Sequence, residues 1–300
     1  MRKYSILFPG QGSQKSGLYS EICNNKLFDD AKEIYPNLME IMGKSDAELS
    51  QTVYAQPLLY VFSSIMFVEF MDRFKQFKPE YVAGHSVGEY AACFAAGCFD
   101  FITGLKLVKI RSELMSECPG TMFACIANID DVIKFVDYVS EETGLICEIA
   151  NYNHESQIVI SCDTKLEEFI KDHYKRFIPR CIQLKVSGGF HSSLVASAND
   201  KLKPYLSEVK FNDPIFPVIS NKTGLPSMTG DEVKSNLLDH IISQVKWKNT
   251  IEYMINHGVS YVIEMSPSNI LSKLAEKYSM SGVTINSIGD IMNSEILGGS

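Results

Sequence analysis

Tyr81-Val82-Ala83-Gly84-His85-Ser86-Val87-Gly88-Glu89-Tyr90 is the stretch that decides the fold of this 300-residue chain. Extended apolar residues lead in, and a small-residue run over 89–97 with helical spacing leads out. Strand, sharp turn and helix follow one another, with Ser86 at the apex. Gly84 and Gly88 remove side chains where strand and helix must approach closely. A serine there has an exposed oxygen at a helix N-terminus, where unpaired N–H groups favour negative charge. That is the placement of an acyl-transfer nucleophile. A Gly-x-Ser-x-Gly pentapeptide also arises by chance; the strand before it and the helix after it argue against chance here.

Outward from this turn, strands and helices alternate. Residues 5–8 read as a short strand ending in the glycine-rich loop Pro9-Gly10-Gln11-Gly12-Ser13-Gln14. The spacing predicts helices over 56–77 and 100–117, the second capped by Asp100, and a strand over 81–85. A different order follows: strand 122–127, helix 130–142, strands 145–150 and 157–161, helix 164–177 and strand 181–185. That β-α-β-β-α-β order is the ferredoxin-like one. Residues 121–187 therefore read as a small ferredoxin-like subdomain inserted into a larger domain of residues 1–120 and 188–289, with Gly188-Gly189 marking the return. Helices over 193–208, 231–242 and 249–256 and strands over 216–219 and 260–264 restore the alternation before a last helix. The class is α/β: a mostly parallel, hydrolase-like sheet core with helices on both faces. Residues 290–300 read as a flexible tail.

Composition narrows the function. A net charge of −8 and a pI near 5.3 argue against nonspecific nucleic-acid binding, which needs a basic surface. The most apolar stretch, 57–71, is interrupted by Ser63, Ser64 and Glu69, so no membrane span is expected. The short apolar run near the N-terminus reads as a first strand and not as a signal peptide. Eight cysteines without a CxxC pair suggest reduced thiols in a cytoplasmic protein. The histidines lack ligand spacing, so neither a metal nor a bound cofactor is expected. No segment reads as a dimerisation stripe, and a monomer is expected.

A serine nucleophile needs a base, oxyanion donors and a pocket. His85 is adjacent to Ser86, but adjacent side chains diverge at a tight turn. His191, in Ser187-Gly188-Gly189-Phe190-His191-Ser192, follows a strand end and a glycine hinge; it reads as the base or as a capping or core histidine. His154, His173 and His257 lie in polar contexts expected to be exposed. Ligands of open parallel sheets bind at the carboxyl ends of strands, and Gln11 and Ser86 both follow such ends. Gln11 and the backbone N–H of Val87 are the candidate oxyanion donors. The glycine-rich loop could instead be a plain turn; it lacks the Walker and GxGxxG spacings. Arg111 falls in the apolar stripe of its helix, between Val108 and Met115. A buried guanidinium is costly unless paired. It therefore reads either as half of an internal ion pair or as a clamp for a substrate carboxylate.

Taken together, these residues resemble the malonyl-CoA:acyl carrier protein transacylase family, including the free-standing acyltransferases of polyketide assembly lines. The likeness spans the chain to about residue 280. Its landmarks are Phe8-Pro9-Gly10-Gln11-Gly12-Ser13-Gln14, Gln56-Pro57, the Ser86 pentapeptide with Glu89-Tyr90, Arg111-Ser112-Glu113-Leu114-Met115, Asn151-Tyr152-Asn153, Gln157-Ile158-Val159-Ile160-Ser161, Phe190-His191-Ser192, Ile219-Ser220-Asn221 and Val245-Lys246-Trp247. The resemblance implies Ser86 as the acylated nucleophile, His191 as general base and acid, Gln11 and Val87 N–H as the oxyanion hole, and Arg111 as the clamp on malonyl. It implies a Ser-His dyad whose histidine is oriented by a backbone carbonyl, a position that counting back from Val245 puts at His240, where the family usually has Gln or Asn. Gln244 stands where the family usually has proline. Phe190 is implied as a specificity residue that crowds an α-methyl branch, and Gln56 and Asn151 as further site residues.

The implied activity is ping-pong transfer of malonyl from malonyl-CoA, a substrate thioester, to the phosphopantetheine thiol of an acyl carrier protein, in fatty-acid or polyketide biosynthesis. The alternative is a hydrolase that clears acyl groups from carrier proteins; it should lack the carboxylate-binding arginine. Carrier proteins are typically acidic, and Lys171, Lys175, Arg176, Arg180 and Lys185 offer either a docking patch or a solvated face.

Overall fold

The computed structural model describes residues 3–17, 22–266, 268–275, 278 and 284–292. Two sheets organise them. Strands β1 (Lys3–Phe8), β2 (Val82–Gly84), β7 (Val218–Ile219), β8 (Pro226–Ser227), β9 (Val259–Glu264) and β10 (Thr284–Ser287) form one six-stranded sheet in the order β10-β9-β1-β2-β7-β8. All its pairings are parallel except β7–β8. Strands β3 (Thr121–Ile126), β4 (Cys147–His154), β5 (Gln157–Cys162) and β6 (Arg180–Gln183) form an antiparallel sheet in the order β4-β5-β3-β6. That order, with the helices Ile129–Thr143 and Glu167–His173 in the crossovers, is the ferredoxin-like arrangement.

The parallel sheet is apolar on both faces because helices cover both. Ile6, Phe8 and Val82 pack into the larger core cluster, while Leu7, Ala83 and Ile219 pack into a second cluster on the opposite face. The helix Thr52–Arg73 is apolar and long enough to cross a membrane, yet 78% of its most apolar window is buried inside the protein. It is the central core helix. Asp100 caps the helix Phe101–Ser116, its side chain accepting from the Thr103 N–H at 2.7 Å.

Register positions the site. Phe8 pairs with Gly84, so β1 and β2 end side by side and the loops after them share one edge of the sheet. The neighbour of β1 on its other side is β9, far along the chain, which puts that edge at a topological switch point. The second sheet is stitched to this region by Val245 N–H to Ala150 O at 2.8 Å and Tyr152 N–H to Val245 O at 2.9 Å.

Several boundaries differ from the sequence reading. The strand expected over 145–150 starts at Cys147 and runs through a bulge to His154. The helix expected over 164–177 is a 3₁₀ turn, the α-helix Glu167–His173 and another 3₁₀ turn. The sequence reading had no elements between the first loop and residue 52, where three short helices stand: Lys26–Ile34, Leu38–Met42 and Asp46–Leu49. Of the tail expected over 290–300, residues 290–292 belong to the helix Ile288–Met292, and Ile291 is fully buried against the core; residues 293–300 lie outside the described residues.

Candidate active site

The turn at Ser86 is as tight as its glycines require. A β-carbon on Gly84 would lie 1.9 Å from the Gly88 carbonyl carbon, and one on Gly88 would lie 2.3 Å from the Phe8 carbonyl oxygen. Ser86 itself adopts φ 53°, in the left-handed region that non-glycine residues rarely occupy. Asn221, just past β7, holds this geometry. Its Oδ1 accepts from the Ser86 N–H at 2.7 Å, and its Nδ2 donates to Gly84 O at 2.6 Å. Its own N–H donates to the buried Glu89 carboxylate at 2.8 Å.

His191 enters from the chain that leaves the small sheet. It too has a positive φ, 57°, and its N–H donates to Ile241 O at 2.9 Å. Its Nε2 lies 2.7 Å from Ser86 Oγ. Its Nδ1 faces two carbonyl oxygens, Ser243 at 3.0 Å and His240 at 3.3 Å. Two acceptors at Nδ1 put the proton there and leave the Nε2 lone pair toward the serine hydroxyl. Burial holds the His191 pKa well below the usual 6.5, with His240, Arg111 and His85 adding to the depression and the Ser243 carbonyl opposing it. The imidazole is therefore neutral and competent as a base at neutral pH.

The orienting carbonyl expected at His240 is shared, and the nearer one belongs to Ser243. The 3₁₀ turn His240–Ile242 brings both oxygens to the same nitrogen. The His240 ring has other partners: its Nε2 lies 3.3 Å from Glu89 Oε2 and 3.4 Å from Asn221 Oδ1, and it meets the His191 ring edge-on at 5.5 Å.

Arg111 has no exposed surface. Its Nη2 donates to Ser86 Oγ at 3.0 Å, and its guanidinium lies 5.7 Å from the Tyr90 ring centroid. Neither Nε nor Nη1 has a hydrogen-bond partner among the described residues, and no ion pair engages the group. For the internal-ion-pair reading, no carboxylate of the described residues lies within ion-pair distance, although Glu89 and Tyr90 favour the charge from nearby. Burial lowers its pKa to about 10, which leaves it charged at neutral pH.

A cavity of about 360 Å³ opens over Ser86 and His191, walled by Gln11, Gln56, Asn151 and Phe190. The Gln11 amide donates to Ser50 O at 3.1 Å and Thr52 Oγ1 at 3.3 Å, so its side-chain N–H groups are committed away from the serine. The backbone N–H groups of Gln11 and Val87 make no hydrogen bond to another described residue. Gln56 and Asn151 are buried, each with a side-chain carbonyl that has no hydrogen-bond partner among the described residues. Phe190 packs against the core beneath the cavity. His85 is turned away from the serine oxygen, its Nε2 at 3.0 Å from Asn153 Oδ1, and burial lowers its pKa to about 4. His154, expected to be exposed, is buried and lines the cavity, because the strand runs on through two register shifts to pair it with Gln157. The sequence reading assigned no role to Asn221, Glu89 or Ser243. Asn221 stood only as part of the landmark Ile219-Ser220-Asn221, after the strand expected over 216–219.

Residues 6–298 match the family described as acyl transferase domain. The chain is 36% identical over 283 residues to a malonyl CoA-acyl carrier protein transacylase of Synechocystis, covering 92% of this chain and 93% of that one. It is 35% identical over 284 residues to a polyketide biosynthesis malonyl CoA-acyl carrier protein transacylase of Bacillus subtilis, covering 91% and 96%. Among solved structures, FabD from Acinetobacter baumannii superposes with a TM-score of 0.90 at 28% identity, over 99% of both chains. A malonyl-transacylase in complex with its type II polyketide acyl-carrier protein gives 0.88 at 26% identity, over 95% of both. Sequence and architecture agree: the chain belongs to the malonyl-CoA:acyl carrier protein transacylase family.

Proposed function

We propose that this enzyme moves malonyl from malonyl-CoA to the phosphopantetheine thiol of an acyl carrier protein. Ser86 Oγ attacks the thioester carbonyl while His191 Nε2 takes its proton. The tetrahedral oxyanion is held by the N–H groups of Gln11 and Val87, and the CoA thiol leaves with the proton from His191. The carrier's thiol then attacks the malonyl-serine with His191 again as base. The carbonyls of Ser243 and His240 keep Nδ1 protonated through both halves, doing the orienting work of a third, acidic residue.

The observation that carries this reading is Arg111. A fully buried cation with two unpartnered N–H groups, 3.0 Å from the nucleophile, calls for an anion inside the cavity. The free carboxylate of malonyl supplies one. A hydrolase of neutral acyl groups has no use for it. Phe190 in the cavity wall favours an unbranched malonyl over its α-methyl homologue.

The exposed Lys175, Arg176, Arg180 and Lys185 support docking of an acidic carrier beside β6; Lys171 is paired with Glu168 at 2.8 Å. Lys273, the one Lys or Arg among the described residues lining the cavity, is exposed and makes no ion pair with another described residue, a suitable partner for the phosphates of CoA or of the carrier's arm. A cytoplasmic monomer fits the cysteine usage and the lack of a dimerisation stripe.

The test is intact mass after mixing with malonyl-CoA or acetyl-CoA, with and without holo carrier protein. A malonyl adduct that moves to the carrier, and is absent from Ser86→Ala, is expected. An adduct lost to water faster than to the carrier would favour the hydrolase.

A further inference from the structure

Four of the eight cysteines sit in the small antiparallel sheet: Cys125 on β3, Cys147 on β4, Cys162 on β5 and Cys181 on β6. Cys125 and Cys181 are directly opposed across β3 and β6, and their sulfurs are 4.0 Å apart. The ladder identifies the kind of pair. Leu184 N–H donates to Met122 O at 2.8 Å, which makes Met122 and Leu184 a hydrogen-bonded pair. Alternation makes Ala124–Ile182 the next such pair and puts Cys125–Cys181 at a non-hydrogen-bonded position. Opposed α-carbons there are about 4.5 Å apart with side chains drawn together, inside the roughly 4.4–6.8 Å span that a disulfide bridges.

Access is asymmetric. Cys125 is buried and Cys181, on the exposed edge strand, is partly open to solvent. Cys147 and Cys162 are also opposed across their strands, but both are buried. An incoming reagent therefore meets Cys181 first, with Cys125 beside it as the resolving thiol.

We propose that Cys125 and Cys181 are a redox modification site that closes to a reversible cross-strand disulfide on exposure to a low-molecular-weight disulfide. The Cys181 thiolate attacks one sulfur of the reagent, forming a mixed disulfide and releasing one thiolate. Cys125 then gives up its proton and attacks Cys181 Sγ, displacing the second thiolate. Two protein S–H groups and one reagent disulfide become one protein disulfide and two reagent thiols. The adjacent Cys181 thiol, and then burial, hold the Cys125 pKa up, which keeps it from reacting ahead of Cys181. The consequence reaches the active site along the chain. Closing the sulfurs from 4.0 Å to a bond ties β6 covalently to β3, and Leu184, Val186, Phe190 and His191, all lining the cavity, lie on the chain that leaves β6.

The experiment treats the full chain with oxidised glutathione, then measures non-reduced intact mass, maps disulfide peptides and follows acyl transfer. The expected form is about 2 Da lighter, links the Cys125 and Cys181 peptides, transfers acyl groups severalfold more slowly, and recovers with dithiothreitol. Cys125→Ser should stop at a glutathione adduct on Cys181, and Cys181→Ser should stay unlinked, both with normal activity under reducing conditions. A Cys147–Cys162 link, a persistent wild-type glutathione adduct or an unchanged mass would overturn the site. A correct link with unaltered turnover would overturn its coupling to the cavity. The mass readout needs no turnover, so a reduced wild-type protein that transfers no malonyl would count against the proposed function alone.

Discussion

Replacing Arg111 with methionine separates a substrate clamp from a structural cation. The side chain is fully buried, donates once to Ser86 Oγ at 3.0 Å, and leaves Nε and Nη1 without partners. With a pKa of about 10 it carries its charge at assay pH, supported by Tyr90 and Glu89 but with no carboxylate among the described residues within ion-pair distance. In the proposed function a malonyl carboxylate pairs with it. A hydrogen bond to a charged group contributes about 1.5–3 kcal/mol, so losing one should lower kcat/KM for malonyl-CoA roughly ten- to a hundredfold. Acetyl-CoA brings no carboxylate, and its kcat/KM should hold or rise. Stability should not suffer, since exchanging an unpaired buried charge for an apolar side chain of similar length is neutral or stabilising. The assay is steady-state transfer to a holo carrier protein with both thioesters, beside a thermal melt of each protein. Equal losses for malonyl and acetyl, or a lowered Tm, would refute the clamp and make Arg111 a packing element.

Three further outcomes are expected. His85 titrates near 6.5 when unfolded but near 4 when folded, so between those values the unfolded state binds more protons and stability falls as pH falls. Over that window the loss from His85 is roughly 3 kcal/mol, readable in urea melts, and His191, depressed for the same reason, adds to it; the acid limb of kcat/KM should likewise lie below pH 6.5. Asn221→Ala should lower kcat at nearly constant KM and lower the Tm, because it orphans the buried Ser86 N–H and Gly84 O at about 1–3 kcal/mol each, with Asn221→Asp restoring part of kcat through the retained acceptor. Lys273→Glu should raise KM for malonyl-CoA about two- to fivefold, less at high salt, and leave a malonyl thioester of N-acetylcysteamine unaffected because it has no phosphate.

What was legible in the sequence was local. The strand-turn-helix at Ser86 shows because its glycines, its apolar lead-in and its small-residue helix are contiguous. The Asp100 cap and the buried Arg111 show because helical spacing relates them to their own neighbours. The ferredoxin-like sheet shows because its order of elements is distinctive even where boundaries drift. Ser45 and Glu48 form a capping box ahead of Asp46–Leu49, a signal present in the sequence but attached to a helix too short to display periodicity. What escaped was long-range. Asn221 reaches Ser86 across 135 positions and Glu89 across 132, and nothing at any of these residues announces the others. The orienting carbonyl escaped in part for a different reason. Counting residues selects one position, whereas a 3₁₀ turn presents two oxygens to the same nitrogen.

The long-range contacts also explain how two unfavourable backbones persist at one site. Ser86 and His191 both hold positive φ without being glycine, at a cost of order 1–3 kcal/mol each. A freely hinged loop would relax either residue and separate Oγ from Nε2. Here two places after β7, Asn221 and the turn at His240–Ile242 with Ser243, prevent both. Asn221 fastens the Ser86 turn through three hydrogen bonds, and Glu89, which receives one of them, also meets the His240 ring. His240 and Ser243 in turn offer their carbonyls to His191, and Ile241 between them accepts the His191 N–H. Residues 105 apart are thus registered to each other by one shared anchor and not by their own loops. Weakening that anchor should misalign the dyad before it unfolds the protein, which is why the Asn221→Ala variant should lose kcat well before it loses substrate binding.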